Sequence, residues 1–339
     1  MNDLFNSLPD PLKSAVEACL LQTNIKILQS AALKLSKHYR RRESIVRLTK
    51  LDKLAYLAVR LPAIYAAALR TLANLPKNTT APKSLLDLGS GPGTLMWAAL
   101  KIWPSLKTAT LLEKDGDWIE LAKKLSLRLP GTIRNNIQWH QKDLTSIKEL
   151  QTYDVLTMSY VLGELPWSEE LLEKIWQATR KYLILIEPGT PQGFEVLSKV
   201  RSYLIKTGAS LASPCTHANE CPLLSNDWCH FTTRLNRFPF HRLVKMASLG
   251  YEDEKFCYLI FSRKSVQKPQ ARIIKRPKKG SGHILLDLCG SEGLERITVS
   301  KKQKDLYSIA RKKTWGSSWS PRKLNDQKAV SAQDIPPKT

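Results

Sequence analysis

Apolar residues recur at three- and four-residue spacing over 11–21, 25–38, 51–60 and 62–75, which predicts four helices at the start of the chain. Pro62 suits a first helical turn. After a linker at Asn78-Thr79-Thr80-Ala81-Pro82 the period changes. Short apolar runs at 84–88, 108–112, 137–140, 154–158 and 182–186 have strand length, and helical patterns at 94–102, 117–129, 168–180 and 193–207 lie between most of them. Such alternation predicts an α/β fold: a parallel sheet with helices on both faces, binding ligands at the carboxyl ends of its strands. Residues 208–231 break the pattern with a loop rich in Cys, His, Pro and Asn, before a helix at 241–248 and a strand at 255–262. Strands are expected again at 284–288 and 296–300. The expected organisation is a helical region over 1–80, a Rossmann-like domain over 81–264, a small basic β-rich extension over 265–315, and a disordered tail over 316–339.

The best-defined chemistry lies at Leu85-Leu86-Asp87-Leu88-Gly89-Ser90-Gly91-Pro92-Gly93-Thr94, a buried strand, a glycine turn and a helix start. Glycines permit tight turning and close backbone approach to a ligand, and helix N-terminal amides attract polar or anionic groups. The G-x-G-x-G spacing departs from the G-x-G-x-x-G of dinucleotide binders. It resembles the first motif of class I methyltransferases, where the turn wraps the amino-acid end of S-adenosylmethionine. Glu113 closes the next strand, where an acid can accept both ribose hydroxyls. Asp143 follows the third strand and is expected at the adenine amino group, and Ser159 begins the segment after the fourth strand. Asp87, Gly89, Gly91, Gly93, Glu113, Asp143 and Ser159 are thus the cofactor-binding candidates.

A second segment, Leu285-Leu286-Asp287-Leu288-Cys289-Gly290-Ser291-Glu292-Gly293, echoes the motif 200 positions later. Cys289 replaces the first glycine, Glu292 would repel an anion, and Ile297-Thr298-Val299 reads as a hairpin strand, so no second nucleotide site is expected.

Cys215, Cys221 and Cys229 lie within one short loop beside His217 and His230. Clustered thiols suit a soft metal or an iron–sulfur cluster, and the spacing lacks the C-x-x-C knuckles of structural zinc. A fourth ligand can come from Cys289, His217 or His230, and zinc stays open as the alternative metal. Cys19 and Cys257 fall in helix and strand patterns and read as core residues.

Charge adds a partner. The chain carries 53 Lys and Arg against 30 Asp and Glu, a formal net charge of +23. From Lys264 onward 18 are basic and 6 acidic. Lys and Arg gain by releasing counterions from phosphates, so a polyanion is the expected partner. No apolar run reaches the roughly 20 residues of a membrane-spanning helix, and no membrane partner is expected.

Taken together, the chain resembles the mitochondrial-type small ribosomal subunit methyltransferase-like family, which has bacterial members. The resemblance rests on Tyr56-Leu57-Ala58-Val59-Arg60-Leu61-Pro62-Ala63, on 87–93, and on Ser159-Tyr160-Val161-Leu162-Gly163-Glu164-Leu165. It continues through Ile186-Glu187-Pro188-Gly189-Thr190-Pro191, Pro214-Cys215-Thr216-His217, Cys221-Pro222 and Asp227-Trp228-Cys229-His230-Phe231, then Tyr251-Glu252-Asp253-Glu254-Lys255 and Trp315-Gly316. It implies S-adenosylmethionine binding, a [4Fe–4S] cluster held by Cys215, Cys221, Cys229 and Cys289, and attachment to the small ribosomal subunit and its rRNA during assembly. The residues after the fourth strand lack the Asn/Asp-Pro-Pro-aromatic motif of base-amine methyltransferases, so a methyltransferase acting on rRNA and a non-catalytic assembly factor both remain open. The N-terminus has an early acid and no basic-then-apolar order, so it reads as neither a secretory signal nor a transit peptide. The expected setting is a monomer in a bacterial cytoplasm, with the mitochondrial matrix as alternative.

Overall fold

The computed structural model describes residues 7–41, 48–75, 80–223 and 227–321. They form two compact units: one of residues up to 214 with 218–267, the other of 268 onward together with Cys215–His217.

The first unit opens with α1 (Asp10–Leu20), α2 (Ile25–Arg41), α3 (Lys50–Val59) and α4 (Leu61–Leu72). The periodicity predicted all four. Thr49 and Asp52 form a reciprocal capping box that starts α3. Pro62 sits in the first turn of α4, whose residues 61–69 are all buried. Nine elements follow in alternation: β1 (Ser84–Leu88), α5 (Thr94–Ile102), β2 (Thr108–Glu113), α6 (Gly116–Ser126), the single turn α7 (Gly131–Arg134), β3 (Ile137–Gln141), β4 (Tyr153–Ser159), α8 (Glu169–Ala178) and β5 (Thr179–Pro188). Then come α9 (Pro191–Lys206), β6 (Ser210–Ser213), β7 (Phe231–Asn236), α10 (Pro239–Val244) and β8 (Tyr251–Ser262).

The sheet runs β3-β2-β1-β4-β5-β8-β6, with β7 also on β8. The first five strands are parallel, and β8 turns antiparallel to β5. Leu85, Leu86, Val155, Leu156, Leu183 and Ile184 are all at most 1% exposed, as expected of strands covered on both faces. The expected parallel sheet is present. Strands β6 and β7 correct the expectation of an uninterrupted loop over 208–231. Both pair with the same edge of β8, at Ile260–Ser262 and Tyr251–Phe256 respectively. They bracket residues 214–230.

The second unit is an antiparallel sheet of β9 (Ala271–Ile273), β10 (Lys278–Lys279), β11 (His283–Gly290), β12 (Gly293–Ser300) and β13 (Ser318–Trp319), with α11 (Lys304–Lys312). Its core joins Ile273, Ile284, Leu286, Leu288, Val299, Ala310 and Trp319. The motif echo is the β11–β12 hairpin, turning between Gly290 and Gly293. Ser318 and Trp319 pair with β9, so the expected disordered tail does not begin at Gly316; residues 322–339 and Asn78-Thr79 of the linker lie outside the described residues. No helix among the described residues is long and apolar enough to cross a membrane.

Candidate functional site

The turn between β1 and α5 holds Gly89, Gly91 and Gly93 at φ +68, +51 and +75. Gly89 tolerates no side chain, because a Cβ there would lie 2.5 Å from Cγ2 of Val161. A Cβ on Gly91 would meet nothing within 4 Å, so the crest of the turn faces open space. The turn's amides are partly engaged by β2: Gly89 and Ser90 donate to the carbonyl of Leu112 at 2.8 and 3.1 Å. The carboxylate of Glu113 accepts from the Gly91 amide at 2.9 Å. The amides of Gly89, Ser90 and Gly91 are thus occupied within the protein, and side chains add a polar lining beside them.

Four polar atoms at this end of the sheet are buried without a hydrogen-bond partner among the described residues: Asp87 Oδ2, Ser90 Oγ, Thr94 Oγ1 and Ser159 Oγ. Buried polar groups are ordinarily paired, so a cluster left unpaired beside an open turn fits a bound polar ligand. The other oxygen of Asp87 accepts from the Thr157 hydroxyl at 2.7 Å. Burial pushes the Asp87 carboxyl up to about 7; the Thr157 bond opposes this and the Glu113 charge adds to it.

Glu113 is buried at the end of β2, and its second oxygen accepts from the Asp115 amide at 3.0 Å. Its carboxylate is thus held between two backbone amides, one from the glycine turn and one from the segment after β2. Asp143 lies after β3 as expected, but it is exposed and caps a single turn by accepting from the amide and hydroxyl of Thr145 at 2.9 and 2.7 Å. Those bonds lower its pKa. Only its placement at the strand end matches the expectation of an adenine contact.

After β4 the chain makes a strained turn. Tyr160 sits at φ +58, a region costly for a bulky residue and frequent at functional sites. Its hydroxyl donates to Glu254 Oε1 at 3.1 Å, and Arg60 at the end of α3 reaches the same carboxylate at 3.2 Å. Burial and the Glu254 charge hold the phenol well above its ordinary range. Glu187, at the end of β5, accepts from the amides of Val161 and Leu162 at 3.1 and 2.9 Å. Burial pushes its carboxyl to about 8 although those amides oppose the shift. Arg60, Glu187 and Glu254 all stood in matching runs of sequence, yet none had been singled out. The available signal was an acid closing the wholly apolar run Tyr182–Ile186.

The cysteines divide between the units. In the second unit Cys289, on β11, approaches Nε2 of His217 with its sulfur at 3.6 Å, and its carbonyl accepts from the Thr216 hydroxyl at 3.2 Å. Cys215 precedes that pair in the same segment. Cys221 and Cys229 belong to the first unit. There Trp228 Nε1 donates to the Gly189 carbonyl at 3.0 Å, and the thiol of Cys257 donates to the Cys229 carbonyl at 3.0 Å. Burial pushes the Cys257 thiol up, in keeping with a core residue. Among the described residues no group of three or more His, Cys, Asp or Glu side chains is arranged to hold a metal ion. The described side chains thus give the expected metal loop no support of their own.

The basic excess expected of the C-terminal part lies on its surface: Lys278, Lys279, Lys301, Lys302, Arg311 and Lys312 are all exposed. The second unit gathers its apolar residues in one core and carries these cations outside, with Arg272 the buried exception.

Comparison with known proteins follows the same outline. Residues 50–320 match the family model described as "Rsm22: Mitochondrial small ribosomal subunit Rsm22". The human "Ribosome assembly protein METTL17, mitochondrial" is 28% identical over 291 residues, covering 78% of this chain and 61% of that protein. The "Ribosome assembly protein RSM22, mitochondrial" of Saccharomyces cerevisiae is 22% identical, covering 80% and 67%. The Schizosaccharomyces pombe Rsm22-cox11 tandem protein 2 is 24% identical, and the alignment spans only 44% of it. Among solved structures, the magnesium protoporphyrin IX methyltransferase of Synechocystis with bound SAH overlaps at a TM-score of 0.40 and 16% identity, covering 68% of this chain and 94% of that one. Overlaps of that size say nothing of activity.

Proposed function

The chain belongs to the mitochondrial small ribosomal subunit Rsm22 family, and from that premise we propose that it is a small-subunit assembly factor that binds S-adenosylmethionine on a methyltransferase-type sheet. The observation that carries the cofactor reading is the open crest at Gly91 beside four buried oxygens without a partner, Asp87 Oδ2, Ser90 Oγ, Thr94 Oγ1 and Ser159 Oγ. In this reading Asp87 and the turn from Gly89 to Gly93 hold the amino-acid end, Glu113 takes the ribose hydroxyls and Asp143 faces the adenine. When bound, the cofactor supplies an electrophilic methyl group; the chain's own residues bind it, orient it and exclude water. The basic second unit meets rRNA phosphates, and the protein acts as a monomer. Its relatives are named as mitochondrial proteins; for this chain a bacterial cytoplasm is proposed beside the matrix, with the same partner in either.

Titration with S-adenosylhomocysteine tests the cofactor reading, with binding expected for the wild type and lost in Gly91→Arg. Comparison of rRNA methylation in cells with and without the gene tests turnover. A methyl group lost with the gene and restored by wild type, not by Gly91→Arg, makes the protein an rRNA methyltransferase. Full rescue by Gly91→Arg makes it a non-catalytic factor. One observation favours that second reading: the segment after β4 is already engaged, with Tyr160 bonded to Glu254 and residues 161–162 pinned by Glu187.

The [4Fe–4S] ligand set Cys215, Cys221, Cys229 and Cys289 is proposed on sequence grounds. Four thiols suit such a cluster chemically, although the described side chains do not gather three donors. Protein purified without air should contain about four irons per chain. One zinc and no colour would replace the cluster with a structural zinc site.

A further inference from the structure

Lys53 lies in the middle of α3 and its side chain is wholly buried. A lysine ammonium out of water is costly unless paired. Here Nζ meets Asp115 Oδ2 at 2.6 Å and Asp117 Oδ2 at 3.0 Å, 5.7 Å from the centre of the Trp118 ring. Tyr56, one helical turn on, packs edge-on against the same ring at 5.1 Å. All three partners of this grip lie just after Glu113: Asp115 is the N-cap of α6, and Asp117 and Trp118 sit in its first turn.

The contacts continue from there without a gap. Asp115 is held from its side chain by Lys53 and by the Asp117 amide at 2.9 Å. Its own amide donates to one oxygen of Glu113, and the Gly91 amide donates to the other. A path of direct contacts therefore runs from α3 through Asp115 and Glu113 to the crest of the glycine turn. We infer that Lys53 is the positioning residue for the Glu113 carboxylate: by fixing Asp115 it fixes the plane in which Glu113 presents itself to a ribose diol. The inference deepens the cofactor reading and rests on it for the identity of the diol. The N-terminal helices thereby acquire a role in the nucleotide site that the glycine motif itself does not announce.

Hydrogen exchange on the full chain tests the link without a ligand. In Lys53→Met the amides of Gly91 and Asp115 are expected to exchange about tenfold faster, while those of Val155–Met158 in β4 stay unchanged. Unchanged exchange at Gly91 and Asp115 overturns the inference. Asp115→Asn, which retains the Lys53–Asp117 pair, gives the same readout if Lys53→Met does not fold. Titration with S-adenosylhomocysteine supplies the second arm. Lys53→Met and Glu113→Gln should each weaken binding about tenfold, and the double variant should be no weaker than Glu113→Gln alone, because both act through one carboxylate. Additive losses show that Lys53 acts elsewhere and overturn the inference. Wild-type protein that fails to bind the probe overturns the cofactor reading instead, and the exchange result then decides the Lys53–Glu113 link by itself.

Discussion

The segments 85–93 and 285–293 begin with the same four residues, Leu-Leu-Asp-Leu, and end on the same glycine, yet they build different objects. In the first, all of Leu85–Leu88 is buried and Asp87 is 1% exposed. In the second, Leu286 and Leu288 are buried while Leu285 and Asp287 face outward, and Asp287 pairs with Arg296 at 2.7 Å. The residues that follow decide the outcome. Thr94-Leu95-Met96-Trp97 continues as a buried helix, whereas Gly293–Ser300 folds back as a strand that alternates at Ile297-Thr298-Val299. A carboxylate enclosed on both faces must change its protonation or find a ligand; one on a half-exposed hairpin needs only a surface arginine. Chemical potential at the two aspartates is thus set by context rather than by the motif.

Four substitutions break or sharpen this contrast. The largest effect is expected at Gly89→Ala, which combines a left-handed backbone with the contact against Val161 and should cost about 3 kcal/mol in urea unfolding. Leu286→Ala, in the core of the hairpin unit, should cost about 3 kcal/mol or slightly less, and its hydrogen-exchange signature should appear in β11 and β12. Asp87→Asn is expected to act in the opposite direction. A carboxyl raised to about 7 binds its proton more tightly folded than unfolded, so its contribution is full below pH 4 and is lost as pH rises through 7. The variant should therefore be more stable than wild type at pH 8, by on the order of 2 kcal/mol, and level with it at pH 4. Unfolding curves of variant and wild type that stay level from pH 4 to pH 8 would remove Asp87 as a strained, ligand-seeking group. Asp287→Asn closes the series: its partner Arg296 is 60% exposed, and the loss should stay below about 1 kcal/mol.

The sheet was legible because its central strands β1, β4 and β5 are runs of buried apolar residues and the helices between them are amphipathic. β6 and β7 were not. Ser210–Ser213 has no length to show a period, and Phe231–Asn236 alternates only between Phe231, Thr233 and Leu235, the start of which was assigned to the loop. At the site, glycine spacing located the turn and strand ends located Glu113. The side chains that fix those groups were hidden for a physical reason: Lys53 and Arg60 look like solvent-facing cations on a helix until their carboxylate partners arrive from residues 115 and 254. Asp143 sits at the strand end where the sequence placed it, and one of its oxygens caps the turn at Thr145, a local bond its spacing did not announce.

The two strands that share one edge of β8 have a further consequence. β6 leaves that edge at Ile260 and β7 joins it at Phe256, so residues 214–230 depart from and return to points about 13 Å apart along one strand. The excursion is a handle bolted at both ends to a rigid rail. The sheet closes its ring, and lengthening it adds closure entropy only logarithmically. Such a handle can be enlarged, trimmed or rebuilt with a different payload while the register of every strand behind it stays the same.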